Sequence, residues 1–284
     1  KEYRMDNRNE PKTVLITGCG AGLGHAIALA SVKAGYITYA SGKRLQELGD
    51  LKAAGCLILE LDVANEISRL QAVKAIEARH GAVDILINNA GYGQMGPLEE
   101  ITPDLIQKQF DVNVFGVLRL CQLVLPGMRA KHSGTILIVG SVGGLITTPF
   151  MGAYHMSKYA IESLTDALRR EVAGFGVRVI LMEPESMKTK FGATTLSSVQ
   201  THKALNPYSS AQKRVNEITA RAYMSPRLLT PEHVAVIIVK TIGAKHPRPR
   251  YRVGIQARIM PFMFNLLGDR LTDRMWQRII SPRR

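Results

Sequence analysis

The sequence predicts an α/β fold: one doubly wound parallel sheet with helices on both faces. Three observations predict it. Short apolar, β-branched runs alternate with longer segments of helical period along most of the chain. A glycine-rich turn joins the first apolar run to the first helical segment. No internal repeat or low-complexity linker divides the 284 residues, so a single domain over 1–284 is expected.

The elements follow in order. After a polar N-terminal extension (1–11), TVLIT (13–17) opens the sheet, GHAIALASVKAG (24–35) forms the first helix and YITYA (36–40) the second strand. LILELDV (57–63) is the third strand, a helical stretch runs to His80, and VDILINNAG (83–91) is the fourth strand. A helical segment from Thr102 to Lys131 leads to TILIVGS (135–141), and a further helix from Tyr154 to Phe175 leads to VRVILMEP (177–184). After Pro184 the alternation lapses into a Ser/Thr/Lys-rich insertion (185–228) with helical patches, expected to be mobile and to border a substrate. TPEHVAVIIVKTIG (230–243) then starts with Thr230 as cap, Pro231 in the first helical position and His233 at the third. YRVGI (251–255) is a last short strand, and 256–284 an apolar, basic tail or lid.

The turn TGCGAGLG (17–24) contains Gly18, Cys19, Gly20, Gly22, Leu23 and Gly24. Glycines there let the backbone approach a pyrophosphate at the start of a helix, where unpaired N–H groups favour anions. The second strand ends in YASGKR (39–44) with no acid before Glu47. A carboxylate would suit free ribose hydroxyls, whereas Lys43 and Arg44 suit a 2′-phosphate, so NADP(H) is expected over NAD(H). Asp62, followed by Val63, is placed to accept from the adenine amino group. Asn88–Gly91, with Asn89 and Ala90 between, lies at the carboxyl edge of the sheet, where ligands of open α/β sheets bind. Further along, Tyr154 and Lys158 share a helix face one turn apart, with Ser141 thirteen residues before the tyrosine.

These pieces in register, TGxxxGxG (17–24), Asp62, NNAG (88–91), Asn113, Ser141 and YxxxK (154–158), resemble the short-chain dehydrogenase/reductase family over residues 12–195. Within it, NAGYGQMGPLE and YHMSKYAIESLTDALRREV are most similar to the hydroxysteroid and retinol dehydrogenase branch. The resemblance implies a Rossmann-like sheet and hydride transfer between a nicotinamide dinucleotide and an alcohol or carbonyl. Tyr154 would exchange the proton, Lys158 would lower the tyrosine's pKa and hold the nicotinamide ribose, and Ser141 would position the substrate oxygen. Asn113 would hold a helix kink and a water leading to Lys158, and Thr189 would contact the carboxamide beyond Pro184. One departure stands out: Glu185 occupies the place of the family's usual glycine after Pro184.

The expected substrate wall is Val142–Leu145, including Gly143, with Pro149, Phe150, Met151, Tyr92–Gly96 and the 185–228 insertion, beside Ser141 and Tyr154. It is mostly apolar, which points to a lipophilic ketone or alcohol such as a steroid, retinoid or acyl lipid. The net charge is +14, and Lys240–Arg284 holds eleven Lys/Arg against Asp269 and Asp273. That bias admits a peripheral membrane contact through the tail or an acidic acyl carrier, which makes a 3-oxoacyl thioester reductase the alternative reading. There is no nucleic-acid reader motif, so no nucleic-acid partner is expected, and a non-catalytic NADP(H) sensor is disfavoured by the intact Tyr/Lys pair. Three scattered cysteines and seven histidines show no metal spacing, so no metal is expected. No apolar run of about 18 residues stands out, and a cytoplasmic homo-oligomer, dimer or tetramer, is expected.

Overall fold

The computed structural model describes residues 11–198, 207–226 and 228–281. Of the expected segments, 1–10 and 282–284 lie outside it, as do 199–206 and Arg227 within the insertion.

Seven strands form one sheet in the order β3-β2-β1-β4-β5-β6-β7, with every pairing parallel. They are β1 Thr13–Ile16, β2 Ile37–Gly42, β3 Leu57–Glu60, β4 Ile85–Asn88, β5 Gly134–Val139, β6 Val177–Pro184 and β7 Arg250–Val253. In the centre of the sheet both pleat directions are apolar. Leu15 and Leu86 enter one core, while Val14, Ile16, Ile85 and Ile87 enter the other. Near-continuous apolar strands of this kind settle only where both faces are covered. The first face carries α3 (Glu66–His80), α5 (Gly116–Ala130) and α6 (Gly152–Glu171); the second carries α1 (Gly22–Lys33), α2 (Gly49–Ala53) and α9 (Pro231–Gly243).

Local signals set the helix ends. Asn65 caps α3 by accepting from the Ser68 N–H (2.9 Å). Thr230 accepts from the His233 N–H (3.3 Å) ahead of Pro231 at the start of α9, as its sequence predicts. The strands LILELDV and YRVGI are shorter in the structure than in the sequence, ending at Glu60 and Val253.

The long segment after β4 is interrupted. α4 (Pro103–Phe110) passes through a π-helical turn at Asp111–Phe115 into α5. Gly116 lets this turn touch the sheet: a Cβ there would lie 2.5 Å from the Val63 carbonyl oxygen. Although no unbroken apolar run stands out in the sequence, Pro103–Ala130 contains an 18-residue window of mean hydropathy 1.3, enough by length and composition to cross a membrane. In the fold it is a core helix, with Val117, Leu120, Cys121, Val124 and Met128 packed under the sheet.

Among the described residues of the insertion, two helices stand, α7 (Phe191–Ser197) and α8 (Ser209–Tyr223). The tail is α10 (Ile255–Ile280), broken at Gly268, and it packs on α8.

Candidate active site

The strand order reverses between β1 and β4, and a cavity of about 950 Å³ opens at the carboxyl ends of the strands there. The glycine turn forms one wall. Gly18 and Gly22 adopt φ of 73° and 61°, which L side chains resist. A Cβ at Gly24 would lie 2.2 Å from the Gly18 carbonyl oxygen, so the start of α1 can sit on the turn only as glycine. No side chain caps α1, and Gly20, Ala21, Gly22 and Leu23 line the cavity, leaving the first N–H groups available to an anion. These features fit a pyrophosphate. Cys19 serves differently from the sequence expectation. Its N–H donates to the Ser41 carbonyl (2.8 Å) and its buried thiol to the Ile16 carbonyl (3.3 Å), with burial pushing the thiol to about 12. It braces the turn and offers the cavity no side chain.

At the end of β2, Gly42, Lys43 and Arg44 line the cavity, as expected for the ribose end. Neither cation is unpartnered. Lys43 faces Asp62 Oδ2 at 3.1 Å, and Arg44 pairs with Glu47, whose carboxylate also lies beside Gly20. Asp62 Oδ1 accepts from the Ala64 N–H (3.0 Å), so Asp62 is engaged within the protein, while its neighbours Leu61 and Val63 line the cavity.

The Asn88–Gly91 turn locks β4 to the glycine turn. Asn89 Nδ2 donates to the carbonyls of Thr17 (2.9 Å) and Gly18 (3.2 Å), and Thr17 Oγ1 accepts from the N–H groups of Asn89 and Ala90. Thr17 is a brace that the sequence reading did not single out. Asn113 points inward from the π-helical turn, only 1% exposed. Its Oδ1 accepts from the Tyr92 N–H (3.1 Å), and its Nδ2 donates to the Tyr92 carbonyl (3.0 Å) and to Ser157 Oγ (3.1 Å). The helix is π-helical at Asn113, and the side chain is spent on pinning Tyr92 and α6.

Ser141 follows β5, and α6 brings Tyr154 and Lys158 to the same cavity. Ser141 Oγ accepts from the Gly143 N–H (3.0 Å), and its hydroxyl acts on Tyr154 so as to favour the phenolate. Lys158 Nζ donates to the Val139 carbonyl (2.8 Å) and lies 5.9 Å from the centre of the Tyr154 ring. Burial raises the Tyr154 pKa above its ordinary value; the bond to Ser141 opposes this, and Tyr223 adds to it. Burial lowers Lys158 to about 8, with Glu162 acting upward. The sequence argument had Lys158 bring the tyrosine down; among the protein's own groups, burial dominates and takes it up.

Of the other expected cofactor residues, Gly91, Pro184 and Thr189 also line the cavity. Thr189 packs its side chain against Gly22 and accepts from the Phe191 N–H (3.2 Å). Glu185 lines the cavity as well, and its carboxylate accepts from the Gln256 N–H at the start of α10 (2.7 Å).

Part of the expected wall lines the cavity: Tyr92 and, from the insertion, Met187, Phe191, Thr194 and Tyr223, with Phe191 5.6 Å from the Tyr154 ring. Val142–Leu145 and Pro149–Met151 are not among the lining residues. Val142 and Gly143 form a turn braced by His155, whose Nδ1 donates to the Gly143 carbonyl (2.8 Å). Phe150 packs edge-on against Tyr208. Phe191 and Tyr223 escaped sequence reading because they sit in the insertion, where no period marks a face.

Behind Lys158, Glu162 and the fully buried Glu183 share a pocket with Arg250, which lies 3.0 Å and 3.6 Å from their oxygens. Burial and Glu183 push Glu162 up to about 8.

A phosphate cradle and a Ser/Tyr/Lys cluster on one cavity of a parallel sheet define a class, the dinucleotide-dependent oxidoreductases. The comparisons narrow it. The short chain dehydrogenase family model matches residues 12–200. A 3-ketodihydrosphingosine reductase of Bacteroides thetaiotaomicron is 32% identical over 269 residues, 94% of this chain and 96% of that one. The 17-beta-hydroxysteroid dehydrogenase type 1 of Homo sapiens is 34% identical, covering 90% of this chain and 81% of its own. A solved short-chain dehydrogenase of Streptomyces avermitilis superposes with a TM-score of 0.79 at 30% identity, over 95% of this chain and 97% of that one. The chain belongs to the short-chain dehydrogenase/reductase family, an oxidoreductase with relatives in the hydroxysteroid dehydrogenase branch.

Proposed function

We propose that the chain interconverts a secondary alcohol and a ketone, or a primary alcohol and an aldehyde, on a lipophilic substrate with NADP(H). The observation that supports this reading is that Tyr154 and Lys158 line the cavity whose other end is the glycine turn, with Ser141 directly after Gly140, which lines it too. A bound nicotinamide dinucleotide supplies or accepts the hydride. Tyr154 gives a proton to the substrate oxygen in reduction and takes it back in oxidation. Ser141 is held by the Gly143 N–H, so its own hydroxyl hydrogen is free to point at Tyr154 and the same oxygen. Lys158 supplies a cation beside the tyrosine and a donor for ribose hydroxyls. Gly18, Gly20, Ala21, Gly22, Leu23, Val63, Asn89–Gly91 and Thr189 line the groove that would hold the dinucleotide.

NADP(H) is favoured because two cations and no β2 carboxylate stand at the ribose end. The ion pairs of Lys43 and Arg44 are exposed, so each is weak enough to be exchanged for a 2′-phosphate. The aromatic and apolar wall of Tyr92, Phe191, Met187 and Tyr223 supports a steroid-, retinoid- or acyl-lipid-sized substrate. A homo-oligomer or a membrane contact would use other surfaces and is not needed for this chemistry.

The test is dinucleotide oxidation across ketosteroid, retinal, 3-ketosphingoid and 3-oxoacyl thioester substrates, run with NADPH and NADH. Tyr154→Phe is expected to cut turnover by about 10²–10⁴-fold while dinucleotide binding persists. Near-normal turnover by that variant would refute the role of Tyr154, and turnover of the thioester alone would replace the substrate class.

A further inference from the structure

The first half of α10 is apolar nearly all round. Between Ile255 and Leu267 its polar residues are Gln256, Arg258 and Asn265. A helix of this kind needs cover on both sides. One side has it: Ala257 and Pro261 are buried against the domain, with Phe264 half-buried beside them. The other side does not. Ile255, Ile259, Phe262, Met263 and Leu266 recur at helical spacing on one face, and Phe262 and Leu266 are 66% and 70% exposed. Past the break at Gly268, Leu271 and Met275 are exposed as well, with the exposed Arg274 and Arg278 beside them.

We propose that this outer face of α10 docks on an anionic lipid surface. The apolar residues enter the acyl boundary while the arginines stay at headgroup level, their methylene stems covering the rim. Charge selects this occupant over a second copy of the chain. A twofold contact sets a patch against itself, and on α10 the exposed Arg258, Arg270, Arg274 and Arg278 outnumber Asp269 and Asp273. Two such tails would repel, whereas each arginine gains attraction at an anionic leaflet. The docking residues are the exposed ones, while α10 itself rests on α8, on β7 and on the Val142–Gly144 turn next to Ser141.

The test is flotation of the full chain with vesicles of phosphatidylglycerol and phosphatidylcholine, against phosphatidylcholine alone, at low and high salt. Partition is expected to be at least about tenfold higher on the anionic vesicles and to fall with salt. Phe262→Glu with Leu266→Glu, and separately Arg274→Glu with Arg278→Glu, should each lower it about tenfold while thermal melting and dinucleotide binding stay unchanged. If the double apolar variant melts early, Ile259→Ser replaces it, since one exposed polar exchange leaves the buried face intact. No vesicle binding by the parent chain, or binding equal in all variants, overturns the proposal. So does a dimer by ultracentrifugation that Phe262→Glu dissociates without any vesicle binding.

Discussion

Replacing Asn113 by alanine tests the most heavily used polar side chain at the site. The carboxamide is buried and makes three hydrogen bonds, to the Tyr92 N–H, the Tyr92 carbonyl and Ser157 Oγ. Two of the three partners have a second bond. The Tyr92 carbonyl also accepts from Gln109 Nε2 (2.6 Å), and the Ser157 hydroxyl donates to the Tyr154 carbonyl (2.7 Å). The Tyr92 N–H is left with nothing. An orphaned buried N–H costs about 1–3 kcal/mol; this one is part-buried, so with the two lost but compensated bonds the total is about 1–3 kcal/mol. At about 2–4 °C per kcal/mol for a chain approaching this size, the variant should melt clearly earlier. Asn113→Asp should not rescue it. That change keeps an acceptor for the N–H but sets a second acceptor against the Tyr92 carbonyl. Because Tyr92 lines the cavity, turnover should fall by about tenfold or more, a loss of at least about 1.4 kcal/mol in transition-state stabilisation. Denaturant unfolding beside steady-state kinetics reads both. A stability change under about 0.5 kcal/mol, the size of an ordinary surface substitution, would refute the reasoning.

Lys43→Ala and Arg44→Ala should each weaken NADPH binding about tenfold or more, the value of one charge-assisted hydrogen bond, and leave NADH nearly unchanged; fluorescence titration with both dinucleotides decides it. Equal loss for both would remove the 2′-phosphate reading. Glu162 gives a pH prediction. Its folded pKa of about 8 lies above the ordinary 4.5, so the folded chain binds that proton more tightly than the unfolded one. The contribution is fully present below the unfolded value and is lost as pH rises toward about 8. Arg250 works against it, while Glu183 and Asp166 reinforce it. Glu162→Gln should therefore flatten the decline in denaturation midpoint across that window, and an unchanged slope would count against the proton being held there.

The sheet was legible because it is buried on both faces. Runs such as Leu86–Ile87 and Ile136–Ile138 fill two cores at once, and a buried strand leaves a nearly unbroken apolar run in the sequence. The glycine turn was legible for a steric reason: at Gly18 and Gly24 another residue would collide with Ala90 or with the turn itself. The cavity's far wall was not. Phe191 and Tyr223 are brought to Tyr154 by two helices whose mutual packing no local period encodes. The ion pairs escaped as well. Lys43 meets Asp62 and Arg250 meets Glu162 and Glu183 across separate strands and helices, and only the fold's register decides such partners.

The Tyr154–Lys158 spacing shows most clearly where sequence stops and structure starts. Four residues on a helix fix proximity, and proximity alone suggested that the lysine draws the tyrosine's pKa down. The same helix also buries both groups, and burial acts on them in opposite directions, raising the phenol and lowering the ammonium. Each drift is toward neutrality, which would leave a buried pair with little charge to offer. Two residues outside the pair oppose it: Ser141 lowers the tyrosine through a hydrogen bond, and Glu162, one turn beyond Lys158, raises the lysine. Glu162 is itself held by Glu183 on β6 and Arg250 on β7. The protonation of the YxxxK pair therefore depends on contacts reaching the edge of the sheet, and spacing within one helix does not record them.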